Sequence, residues 1–393
     1  MVKRYFGLDL GEKYLKLCIA EEDHLGNLRP VALPYKKIES FKNGEIVDID
    51  NFQTEVLQFL KDIGEQLGER IKELSLSFSA PYFNAVNVFG RAIVQGTTIT
   101  ADDIEKAKKI AKMSVSSSNL AVIFEEPIYY LIDNLQSKIK DPIGMEARTI
   151  EVSLFIIQAL LSTLNKIQNT FEKAKIKINN ILPNPLPAAI CVLDKKFKTG
   201  GCIIIDFGFY LTSVAVYKDN SLVAFKVFTF GLYDLLQELA IMSEADLAEV
   251  ERFIEDFLKA DAESKLKLKI KLGKKHFNYQ SFMKILIKYL IQITKNYGFA
   301  EWIKKIKENY KLPGGAYILS SASLLEDIQK TFRHLINMPV KLLSTTNKEL
   351  SLEDHHFLNS WGLCLYQFRE STIARKSIGN FLKDLLRHIF RNQ

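Results

Sequence analysis

A strand that runs into an acid and a glycine and turns straight into a second strand occurs twice in this chain. In the first copy an apolar run from Tyr5 ends in Asp9-Leu10-Gly11, and Leu15 to Ala20 follows. In the second, Gly200 and Gly201 feed Cys202 to Ile205, the run ends at Asp206 and Gly208, and Val214 to Tyr217 follows Thr212 and Ser213. Each copy reads as a β-hairpin whose tip carries a carboxylate and an open backbone. Two copies predict two similar half-molecules facing each other across a cleft. Asp9 and Asp206 then face that cleft, where carboxylates can hold the waters around Mg²⁺. Amides near Gly11 and Gly208 suit anionic oxygens. Glu12 and Lys13 occupy the first tip, and Lys16 on the outgoing strand reads either as an anion contact or as an exposed strand lysine.

A chain of 393 residues is too long for one small core, so two or more domains are expected. Its 47% apolar and 25% charged content is that of an ordinary globular protein. The net charge of +7 is spread along the chain and reads mainly as a solvated surface. Cys18, Cys191, Cys202 and Cys364 lie far apart in apolar surroundings, as reduced core residues do, and form neither a disulfide set nor a metal site. No signal peptide is read at the start, and no apolar run approaches the ~18 residues of a spanning helix.

The repeated hairpin resembles the actin/Hsp70/sugar-kinase superfamily, in which two such hairpins grip ATP phosphates and a metal ion. After a helix at about 52–67 and an alternating strand at 74–78, Pro81 opens a different unit. It has a strand at 84–94, a short basic helix at 101–113 capped by Thr100, strands at 122–126 and 128–133, and a strand at 149–157. Glu126-Pro127, Tyr130, Ile132-Asp133, Asp141-Pro142-Ile143-Gly144-Met145 and Arg148 fall within it. This order of motifs resembles the FtsA family of bacterial cell-division actin homologues, whose SHS2-type 1C subdomain is an insert at this place.

The resemblance implies an α/β, actin-like ATPase fold: two duplicated domains around a nucleotide cleft, an inserted small α+β subdomain and a C-terminal amphipathic helix. It assigns 1–80, 158–185 and 351–370 to subdomain 1A, 81–157 to 1C, 186–231 and 311–350 to 2A, and 232–310 to 2B. It implies ATP and Mg²⁺ in the cleft, with Asp9 and Asp206 around the metal. Gly11, Lys16, Gly208 and Thr212 would lie near phosphate, Glu249 and Arg252 near ribose and adenine, and Gly315, Ser320, Ser321 and Ala322 in the adenosine motif.

Several positions depart from the superfamily's patterns. Asn184 stands where ATP-hydrolysing members often carry an acid, and a neutral amide cannot act as a general base. Slow hydrolysis or none is therefore expected. Phe209, Tyr210 and Leu211 bulk up the second tip, and Ser320, Ser321 and Ala322 replace turn glycines. Ser243 reads as the N-cap of a helix to Leu258, residues 282–303 as one long helix, and the lysine-rich run at 265–272 as a strand with one basic face. Without interleaved aromatics that run reads as a sheet edge, and no nucleic-acid partner is expected.

The chain ends in a basic amphipathic stretch, 378–393. Ile378, Phe381, Leu382, Leu385, Leu386, Ile389 and Phe390 fall on one helical stripe, with Lys383, Arg387 and Arg391 opposite. This fits an interfacial membrane anchor, and the FtsA family carries its membrane-targeting helix here. The expectation is a peripheral protein on the cytoplasmic face of the inner membrane. It would self-associate into protofilaments and bind the C-terminal peptide of the tubulin homologue FtsZ through subdomain 2B. The alternatives are a PilM-like adaptor of type IV pili, which grips a membrane-protein peptide and does not need the tail, and a small-molecule kinase of the superfamily.

Overall fold

The computed structural model describes residues 2–259, 269–319, 326–343 and 352–373. Strand β1 (Arg4–Leu10), buried from Tyr5 onward, lies at the middle of the first large sheet. It pairs antiparallel with β2 (Tyr14–Glu22), setting Asp9 opposite Lys16, and parallel with β7 (Glu73–Phe78). With β3 (Leu28–Ala32) and β11 (Lys177–Pro183) at the edges the order is β11-β7-β1-β2-β3, and β4 (Tyr35–Lys37) also pairs with β2. A small ribbon, β5 (Phe41–Lys42) and β6 (Glu45–Ile46), leads into the helix Ile49–Leu67, which Asp48 caps by accepting from the amides of Asp50 and Asn51.

The second sheet repeats this plan. Strand β12 (Cys202–Phe207) pairs antiparallel with β13 (Thr212–Lys218) and parallel with β17 (Ala316–Leu319). With β14 (Ser221–Phe228) and β18 (Val340–Leu342) the order is β14-β13-β12-β17-β18. Both halves thus carry a hairpin, a third antiparallel strand and two parallel strands in the same sequence, the duplication the paired Asp-x-Gly turns predict.

Side chains alternate between the two faces of a strand, and this decides what meets in the middle. Phe6, Leu8 and Leu10 of β1 pack outward against the helices Ile49–Leu67 and Leu161–Lys173. Tyr5 faces inward, into a core it shares with Cys202, Ile204 and Ala215 of the second half and with Trp361 and Cys364 of the closing helix, 358–373. Likewise Ile203, Ile205 and Phe207 point outward into the helical layer of the second half. By the same parity Asp9 and Asp206 face inward. Cys18, Cys202 and Cys364 are buried and none of the four cysteines is in a disulfide.

Between β7 and the helix Leu161–Lys173 sits a separate three-stranded sheet, β8 (Asn84–Ile93), β10 (Thr149–Leu160) and β9 (Leu120–Ile132), in that order. The helix Ala101–Met113 packs on one face through Ile104, Ala107 and Ala111, and Thr100 and Asp103 form its capping box. The motif residues hold the turns. Asp133 Oδ1 accepts from the amides of Arg148 (2.9 Å) and Thr149 (2.8 Å), and Ile99 exchanges backbone bonds with Gly144 and Met145.

Three sequence expectations are corrected. The strands expected at 122–126 and 128–133 form one strand, β9, which runs through Pro127 because an edge strand does not need that N–H. Ser243 ends the helix Leu232–Ser243, its buried hydroxyl donating to Leu239 O, and the next helix is Leu247–Lys259. The long helix at 282–303 is two, Tyr279–Asn296 and Phe299–Asn309, broken at Gly298, whose φ is 67°. The lysine-rich run is a strand, as expected, where it is described: β15 (Lys269–Leu272) pairs with β16 (Lys275–Asn278), and 265–268 lie outside the described residues.

Candidate functional site

The hairpin tips meet where both inward carboxylates emerge. The two turns are built alike. A Cβ on Gly11 would lie 2.6 Å from Tyr14 O, and one on Gly208 would lie 2.7 Å from Leu211 O, so neither position admits a side chain without reshaping its turn. Asp9 is buried; it accepts from Asn184 Nδ2 at 2.9 Å and from Ser77 Oγ at 3.4 Å, and pairs with Lys16 Nζ at 3.3 Å. Asp206 accepts from Asn359 Nδ2 at 3.0 Å. Burial, reinforced by the charge of Asp9, pushes Asp206 up to about 6, while Lys16 and the Asn359 bond pull the other way. The two carboxylates are thus incompletely neutralised, a donor set suited to a divalent cation that keeps most of its waters.

Further contacts cross the cleft. Ser79 and Ser213 hydroxyls lie 2.7 Å apart. Lys13 sits 4.8 Å over the Phe209 ring and pairs with Glu251 at 3.5 Å. Glu12 Oε2 accepts from the Tyr210 amide at 2.9 Å. The space left between the tips is about 140 Å³, below the ~300–1,000 Å³ of typical ligand pockets. The carboxylate chemistry fits a hydrated divalent cation, and Asp9, Asn184, Asp206 and Asn359 line that space. A wider groove of about 880 Å³ lies between β9, β11 and the helix Leu161–Lys173, and contains neither carboxylate.

The structure brings Asp9, Gly11, Lys16, Asp206, Gly208 and Asn184 together around the cleft. Thr212 lies elsewhere: its hydroxyl donates to Phe230 O at 2.7 Å inside the second half. One step along β13 reverses the face, so Ser213 is the residue that reaches the cleft. Gly315 is at the wrong end of β17, since Leu319 is the residue paired with Asp206 and Gly315 abuts Pro339. Glu249 accepts from the Gly273 amide at 3.1 Å, and Arg252 folds back to Ala248 O at 3.3 Å; neither lines the cleft. Ser320, Ser321, Ala322 and the basic tail from Ile378 to Arg391 lie outside the described residues. Sequence reading missed Asn359 and Ser79, which line the cleft from separate elements and carry no local pattern, and Glu251, which pairs with Lys13. Glu12 was legible as a tip residue, though its partner was not.

A family profile described as "SHS2 domain inserted in FTSA" matches residues 82–158, the three-stranded insert. Cell division protein FtsA of Bacillus subtilis is 21% identical over 95% of this chain and 86% of its own length. FtsA of Streptococcus pneumoniae is 27% identical over 56% of this chain and 48% of its own, so the chain spans about half the length of that relative. Among solved structures, a PilM–PilN type IV pilus biogenesis complex superposes with a TM-score of 0.64 over 92% of this chain and 98% of the other, at 12% identity. MreB5 of Spiroplasma citri bound to ADP superposes with a TM-score of 0.53 over 96% and 98%, at 13% identity. Duplicated sheets, cleft and insert define an actin-like two-domain protein with an SHS2 subdomain. Within that class the chain is similar to FtsA over most of its length.

Proposed function

We propose that this chain is an FtsA-like cell-division protein that binds ATP in its central cleft and self-associates into protofilaments at the inner membrane. Its tail, 378–393, anchors those filaments to anionic lipid, and the 232–310 region takes up the C-terminal peptide of FtsZ. The observation that carries this reading is an SHS2 insert placed between β7 and the helix Leu161–Lys173 of an actin-like half-molecule. Asp9 and Asp206 would hold the hydrated Mg²⁺ and the amides of the two tips the phosphates. Bound nucleotide would act as a conformational ligand favouring one arrangement of the halves. Turnover is slow or absent in this reading, because Asn184 donates to Asp9 and offers no base to a water.

Electron microscopy of the full chain on anionic lipid monolayers with Mg-ATP, intact and lacking 378–393, tests the reading. Filaments on lipid that vanish with the tail are expected. If neither form polymerises nor adheres, the membrane-filament function fails and a peptide-gripping adaptor takes its place.

A further inference from the structure

The second hairpin tip already holds a carboxyl group, and that carboxyl belongs to the chain. Glu12 projects from the first tip, and its Oε2 takes the Tyr210 amide proton at 2.9 Å. Its other oxygen, Oε1, is buried and makes no hydrogen bond. The amides of Leu211, Asn43 and Gly44 nevertheless lie near enough to act on the carboxyl electrostatically. Backbone N–H groups converging from two turns form the kind of concavity that binds phosphate or carboxylate. Burial pushes the Glu12 carboxyl up to about 7 against the pull of those amides, so the group is held there at a cost that the surrounding fold supports. Lys13, beside it, grips the ring of Phe209 and the carboxylate of Glu251, so that two adjacent residues of the first tip both fasten onto the second half.

We infer that Glu12 is a tethered carboxyl acceptor that occupies the amide of the second tip and clamps the two halves together, so that a polyphosphate enters the cleft only by displacing it. The displacement step rests on the nucleotide reading of the cleft, whereas the clamp rests on the Glu12–Tyr210 contact alone. Displacement also accounts for the small free volume of the cleft. A polyphosphate brings its own anion to the same amides, and the side chain must swing out before the ligand seats.

The test uses the full chain as wild type, Glu12→Ala and Glu12→Gln, with hydrogen exchange of segment 208–211 and calorimetric titration of ADP and of inorganic pyrophosphate. Without ligand, Glu12→Ala is expected to exchange at 208–211 at least about tenfold faster, and to bind ADP roughly ten- to a hundredfold more tightly, the range set by one charge-assisted hydrogen bond. Glu12→Gln keeps an acceptor for the Tyr210 amide, so its exchange stays near wild type while its ADP affinity falls between the other two. Unchanged exchange in Glu12→Ala, or weaker ADP binding by it, overturns the proposal. Faster exchange with no binding of either ligand by any variant supports the clamp and overturns the nucleotide reading. A thermal melt of each variant shows whether the fold is retained.

Discussion

Asp206 shows how much chemistry one strand register can concentrate. Alternation along β12 turns it inward beside Asp9, and burial then works against its charge. Its folded value, about 6, lies above the ordinary aspartate value of 3.8. Between those two values the folded protein holds a proton that the unfolded chain has released. The Asp206 contribution is therefore fully present below about 3.8 and is lost as pH rises through about 6. Asp206→Asn should remove that dependence and raise stability at pH 7, since the amide still has an oxygen to accept from Asn359. Urea midpoints of wild type and variant from pH 4 to 8 check this, and parallel curves would rule it out. Both carboxylates were legible in the sequence because acid and glycine sit together at a strand end. Thr212 was misplaced because phase along a strand is a matter of one residue, and a bulky tip shifts the apparent start of β13. Gly315 was misplaced because a motif layout does not say which end of a strand meets the cleft.

The insert was the element most readable in advance, since its turn residues have stereochemical work to do. Asp133 ties two strands through the amides of Arg148 and Thr149, and Gly144 sits at φ 82° in a turn bonded to Ile99. The motif did not disclose what the insert leans on. Glu126 Oε2 accepts from the Leu222 amide at 2.8 Å, Lys140 Nζ donates to Ser221 Oγ at 2.8 Å, and Ser221 Oγ lies 3.4 Å from Pro127 O. These bonds join the insert to β14 in the second half, a contact between segments nearly a hundred positions apart that no local pattern encodes. Glu126→Ala leaves the Leu222 N–H unpaired and should cost about 1–3 kcal/mol. The loss should appear as faster hydrogen exchange in β9 and β14 together. Exchange confined to β9 would mean that the insert is held by its own half alone. The helix break at Gly298 was hidden because apolar spacing continues on both sides of it.

At the scale of the whole molecule, one apolar core joins both halves and the insert. Tyr5, Cys18, Phe155, Ile157, Cys202, Ile204, Ala215 and Trp361 all belong to it. Trp361, on the closing helix and 1% exposed, is its largest fully buried side chain. Truncation to alanine should cost about 3–5 kcal/mol and loosen the two halves as a unit, read as a lower urea midpoint for probes placed in each half. A drop confined to one half would show that the shared core is two cores in contact. The insert is covalently continuous with the first half through β8 and β10, and it is pinned to the second by Glu126 and Lys140. Two bodies joined at one hinge can swing freely, but a brace fixed to both turns the joint into a triangle. Any change in the angle between the halves must then tilt the insert or break its pins, so a partner resting on the insert's outer surface would feel the state of a cleft it never touches.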